Sequence, residues 1–158
     1  MNKINQSTID LVKHFEGFYA NAYHDTIDPP HIDTTGYGCI KYPPDYLNGK
    51  AVKVGDPAIT EAQAESFLMW ELQQKATAIE PMIHAKLNDN QFGALVSFAY
   101  NLGEGNLQSS TLLKKVNENP QDPAIQLEFD KWIYSNHVAI KGLEIRRRAE
   151  YQLYIKPI

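Results

Sequence analysis

Residues 15–38 read F-E-G-F-Y-A-N-A-Y-H-D-T-I-D-P-P-H-I-D-T-T-G-Y-G. A carboxylate, Glu16, stands directly before Gly17, and a second, Asp25, follows nine positions later. Thr34 comes nine further on, just ahead of Gly36-Tyr37-Gly38. Two carboxyl groups in different surroundings, with a hydroxyl, can split a glycosidic bond with water. One protonates the leaving oxygen, and the other stays ionised and positions or activates the water.

Upstream of this stretch, Ile9, Val12 and Phe15-Glu16 recur at helical spacing behind a cap at Asn5 or Ser7. A first helix over about 5–16 is expected, ended by Gly17 in the left-handed conformation. Glu16 then lies in the last turn, where the negative end of the helix dipole and the neighbouring Phe15, Phe18 and Tyr19 disfavour the ionised carboxylate. A general acid at neutral pH needs that bias.

Downstream, prolines 29, 30, 43, 44 and 57, with Gly36, Gly38, Gly49 and Gly55, break any long helix. Short strands are expected around Phe18–Tyr23, Thr34–Ile40 and Ala51–Val54, giving a β lobe over about 18–59. Asp28-Pro29-Pro30-His31 reads as a loop inserted between the second carboxylate and the threonine. Asp28 and Asp33 are rival carboxylates, but strand alternation points Asp33 away from Thr34.

From Thr60 the pattern is helical, over about 60–158. Thr60 with Gln63 forms a capping box, and its helix continues until Pro81. Residues 89–102 are apolar nearly all round, so they form the central buried helix, ended by Gly103 and Gly105. Ser109 or Ser110 caps the next. Asp122-Pro123 opens one carrying Ile125, Phe129, Trp132 and Ile133, and the last covers about 143–155. The expected fold class is α+β.

The chain has 158 residues, 43% hydrophobic, with a net charge of −4, as suits one soluble domain. No basic stripe suggests a nucleic-acid partner, and Arg146-Arg147-Arg148 reads as a solvated helix face. Cys39 is the single cysteine and reads as a small buried hydrophobe. The five histidines show no metal-ligand spacing, and no glycine-rich phosphate loop follows a strand. The polar N-terminus is unlike a signal peptide, and no apolar run reaches the roughly 18 residues of a membrane span.

Several ordered motifs resemble the phage-type lysozymes, or endolysins, of glycoside hydrolase family 24. They are Glu16-Gly17, Ala22-Tyr23-His24-Asp25, Thr34-Thr35-Gly36-Tyr37-Gly38, Gln91-Phe92-Gly93-Ala94-Leu95-Val96-Ser97-Phe98 with Asn101 and Gly103, Ser109-Ser110-Thr111-Leu112-Leu113, Trp132, and Gly142-Leu143 with Arg146-Arg147 and Glu150. The resemblance covers roughly residues 9–153. It implies a single lysozyme-like domain, a small N-terminal β lobe and a larger helical lobe with a cleft between them. It implies a muramidase that cleaves the β-1,4 bond between N-acetylmuramic acid and N-acetylglucosamine in peptidoglycan. Glu16 is then the general acid, and Asp25 and Thr34 hold the water. No metal or organic cofactor, no nucleic acid and no stable membrane insertion are expected, and a monomer is. The polar N-terminus leads to an expectation of synthesis in a host cytoplasm, and the resemblance implies action on the wall after release. The alternative is a wall-binding module with weakened catalysis. In three respects the chain departs from the family: nine positions separate Asp25 from Thr34 where six are usual, Thr35 and Cys39 replace the common Ile and His, and its net charge is negative.

Overall fold

A computed structural model describes residues 3–26 and 31–158. The inserted segment at 28–31 therefore lies, except for His31, outside the described residues. The architecture is mixed α+β, with seven α-helices and two small antiparallel sheets among the described residues. The chain divides into two compact units, one of residues 12–73 and one of residues 1–11 with 74–158.

Helix α1 spans Gln6–Glu16. Asn5 caps it by accepting from the Thr8 N–H at 3.0 Å and from the Thr8 hydroxyl at 3.0 Å. Gly17, at φ +70°, closes the helix, its N–H donating to the Lys13 carbonyl at 3.0 Å.

In the unit of residues 12–73, β1 (Tyr19–His24) pairs antiparallel with β2 (Asp33–Gly36). The register runs Tyr19 to Gly36, Tyr23 to Thr34 and His24 to Asp33, so β1 bulges between Tyr19 and Tyr23. Beyond Gly36 the expected long strand stops. Thr35 and Cys39 bridge instead across Gly36-Tyr37-Gly38, with φ +60° at Gly36 and +87° at Gly38. A Cβ on Gly36 would also press on Ala64 and Ile59, so glycine is required there twice over. The expected strand at Ala51–Val54 is reduced to a Lys41–Ala51 bridge and a Val52 N–H donation to the Ile40 carbonyl. Tyr37, Cys39, Tyr42, Val52 and Ile59 are buried with Phe67, Leu68 and Leu72 of α2 (Glu61–Ile79). Burial pushes the Cys39 thiol up to about 12, as befits a packing residue. The Thr60–Gln63 capping box forms reciprocally.

In the other unit α3 (Asp89–Leu102) is central, with Asn90 through Ala99 all buried. Asn88 and Gln91 build its capping box. Gly93 lies against Thr8, where a Cβ would collide with the threonine hydroxyl. Gly103, at φ +89°, ends α3 and turns the chain into a helix the sequence reading lacks, α4 (Glu104–Ser109), which contains Gly105. Ser110, not Ser109, caps α5 (Thr111–Glu118), accepting from the Leu113 N–H at 3.0 Å. Helix α6 covers only Ile125–Asp130. Trp132 and Ile133 fall outside it, because the chain turns into a hairpin of β3 (Tyr134–Ser135) and β4 (Val138–Ala139). Asn136 and His137 make its turn, both at positive φ.

Helix α7 (Lys141–Ile155) packs on α3 and α6 and corrects another expectation. Only Arg148 of the arginine run is exposed, whereas Arg146 and Arg147 are buried. The reason is Glu150, itself fully buried. It lies 3.3 Å from Arg146 Nε and 2.8 Å from Arg147 Nε, and it accepts from the Ser97 hydroxyl at 2.8 Å. Arg147 also donates to Asn101 at 2.7 Å and lies over the Phe98 ring. Among the described residues no helix is long and apolar enough to cross a membrane.

Candidate active site

The β1–β2 hairpin brings two of the three anticipated groups together. Asp25 follows β1, and its N–H donates to the Ile32 carbonyl at 3.2 Å. Thr34 is buried, and its hydroxyl donates to the same carbonyl at 3.1 Å. One backbone acceptor therefore fixes both residues. Strand alternation adds a common side: Thr34 is paired with Tyr23, and Asp25 is two residues past Tyr23. His24 and Asp33, the intervening pair, take the opposite side, where His24 Nδ1 lies 2.7 Å from Asp33 Oδ1. Asp33 is thereby kept apart from Thr34, as alternation predicts.

Glu16 reaches this region from the last turn of α1 and is partly buried, as is Asp25. Tyr23 reports the field around it. Burial raises its phenol above the ordinary value first, and charge repulsion from Asp25, from Tyr19 once that phenol too ionises, and from Glu16 raises it further. Glu16 and Asp25 thus both act on one ring, which also packs on Tyr19 at 4.6 Å between centroids.

A second cluster ties the end of α1 to α2. Lys13, one turn earlier on α1, bonds Glu65 of α2 at 2.6 Å and lies 5.2 Å from the centre of the Tyr37 ring. Tyr37 donates its hydroxyl to Glu61 at 2.8 Å, and its ring packs on Phe18. The aromatic of Gly36-Tyr37-Gly38 is thus a packed structural residue, 4% exposed.

Sequence reasoning missed Tyr23 as the residue common to both carboxylates and the His24–Asp33 pair beneath it. The period-two alternation through Tyr23, His24 and Asp25 carries that signal once the register to Thr34 is known. Among the described residues no group of three or more His, Cys, Asp or Glu is arranged to hold a metal ion.

The family model for phage lysozymes matches residues 13–150, from within α1 to the buried Glu150. The chain belongs to the phage lysozyme family. It is 36% identical over 152 residues to an endolysin of Bacillus phage PZA, an alignment covering 96% of this chain and 55% of that protein. It therefore spans about half the length of that relative, as it does of a second endolysin from Bacillus phage B103. Among solved structures, an endolysin from Escherichia coli O157:H7 phage FAHEc1 superposes with a TM-score of 0.83 at 32% identity, covering 97% of this chain and 93% of that one. The muramidase domain of SpmX from Asticaccaulis excentricus superposes with a TM-score of 0.82 at 27% identity, covering 99% of this chain and 100% of that one.

Proposed function

We propose that this phage lysozyme family member is a peptidoglycan hydrolase that lyses bacterial cells by cleaving the β-1,4 bond between N-acetylmuramic acid and N-acetylglucosamine. Glu16 is the general acid, protonating the glycosidic oxygen. Asp25 and Thr34 hold the attacking water. The shared Ile32 carbonyl carries this assignment, because it sets Asp25 and Thr34 at one hairpin neck. With the Thr34 proton committed to that carbonyl, the hydroxyl oxygen is left to accept from a water O–H, and the Asp25 carboxylate accepts the other. A water held by two acceptors aims its own lone pair outward, towards the anomeric carbon. A water standing between acid and base leads to inversion at that carbon, with the carboxyl groups about 6.5–9.5 Å apart.

The glycan strands of the wall are the partner, and the chain works as a monomer after release from the cytoplasm of its host. With a net charge of −4, recognition rests on local hydrogen bonds and sugar stacking rather than long-range attraction.

The test is turbidity loss of outer-membrane-stripped Gram-negative walls. The parent clears them, and Glu16→Gln, with the same Tm, loses at least about 100-fold, the usual contribution of a general acid. Reducing-end sugar among the products fixes hydrolysis, whereas anhydro-sugars would indicate a transglycosylase. Binding of walls by both proteins with clearing by neither would replace the reading with a wall-binding module.

A further inference from the structure

Asp33 directly precedes Thr34, and His24 directly precedes Asp25. The two are register partners, with His24 Nδ1 2.7 Å from Asp33 Oδ1. The second Asp33 oxygen accepts from the Val54 N–H at 3.0 Å. Val54 adjoins the bridged segment, where Val52 donates to the Ile40 carbonyl at 2.9 Å and Ala51 pairs with Lys41. One carboxylate therefore joins three pieces of chain: the end of β1, the start of β2 and the segment around residue 54. Its side chain is 15% exposed, against 53% for His24. The hydrogen bond to His24, then that to the Val54 N–H, hold the Asp33 carboxyl below the ordinary range, so it is ionised at neutral pH and accepts both.

The place matters because the connection from Asp25 to Thr34 is long. Closing it costs entropy, and to the strand pairing at the neck the Ile32 carbonyl adds two neutral hydrogen bonds. Asp33 supplies a charge-assisted clasp on the opposite side of the same two strands.

We propose that Asp33 is a positioning residue for the hydrolysis: by gripping His24 and the Val54 backbone it fixes the hairpin neck from which Asp25 and Thr34 hold the water. Asp33 acts through those two residues and touches no reacting atom. The proposal rests on the muramidase reading.

Asp33→Ala, His24→Ala, the double variant and Asp33→Asn are compared with the parent and with Glu16→Gln on soluble peptidoglycan fragments. Hydrogen exchange at the Asp25 amide is followed in parallel. Asp33→Ala is expected to lower kcat by about 10- to 100-fold with KM unchanged, the size of a displacement of about 1 Å at a reacting centre. Asp33→Asn, which keeps an acceptor, recovers part of that loss. The double variant loses no more than Asp33→Ala alone, because His24 acts through Asp33. The Asp25 amide exchanges faster in Asp33→Ala. Parent-like kcat in Asp33→Ala, a loss confined to KM, or unchanged exchange at Asp25 overturns the clasp while Glu16→Gln still shows the reaction intact. If the parent itself releases no fragments, the muramidase reading fails and the proposal goes with it, and that failure is visible in the control before any clasp variant is read.

Discussion

Two clusters of opposite charge invite comparison. Arg146, Arg147 and Glu150 on α7 are buried, with Ser97 and Asn101 of α3 satisfying them in part. His24 and Asp33 on the β1–β2 hairpin form a pair open to water on its histidine side. Burial pushes the Glu150 carboxyl up and the Arg147 guanidinium down, each against the pull of the other. The Asp33 carboxyl goes down, because its partners outweigh a small desolvation. The buried cluster bears on whether the fold holds, and the hairpin pair on whether two side chains stay where chemistry needs them.

The largest effect on stability therefore belongs to α7. Glu150→Ala strands two buried guanidinium groups and should cost about 3–5 kcal/mol, read as a fall in the urea midpoint. A change under about 1 kcal/mol would mean that water already reaches the cluster. Gly93→Ala comes next, at about 1–3 kcal/mol, because the added methyl must displace the β-branched Thr8 that its own bond to Asn5 holds in place. A combined Gly93→Ala and Thr8→Ser variant does not relieve it if the Thr8 oxygen is the obstacle. Ser110→Ala, removing the α5 cap, should cost about 1 kcal/mol in the same measurement.

The hairpin unit responds to acid instead. Asp56 is lowered chiefly by its bond to Lys50, with the Lys53 N–H adding to it. A lowered carboxyl binds its proton more weakly folded than unfolded. Its contribution is therefore complete above the ordinary value of 3.8 and disappears as pH falls through the lowered one. Asp56→Asn should lower Tm at pH 7, where the contribution is complete, and converge with the parent as pH falls through the lowered value, so that its acid limb is flatter. An unchanged acid limb would show that Asp56 titrates normally.

The same comparison separates what was legible in the sequence from what was not. Helix α1, its glycine stop, the apolar α3, the cap at Thr60 and one at Ser109 or Ser110 follow from local spacing, because each is decided within one or two turns. Asp25 and Thr34 stand out as candidates from spacing, and alternation removed Asp33 from their side. Their shared acceptor could not be foreseen, since a backbone carbonyl has no letter in the sequence. The burial of Arg146 and Arg147 was misread for a related reason. Arginine four and three positions before glutamate looks like a solvated helix pair, and only Ser97 and Asn101, some fifty residues away, show otherwise. The β3–β4 hairpin escaped notice because Asn136-His137 supplies positive φ without a glycine.

The Ile32 carbonyl has one more consequence, and it concerns engineering. An anchor made of main-chain atoms survives any replacement of the side chain that carries it. Ile32, 40% exposed, is therefore open to changes of side chain that would be ruinous at Thr34, whose own hydroxyl makes the bond. A designer wishing to retune the surface beside the proposed water-holding pair should begin there, leaving the neck untouched.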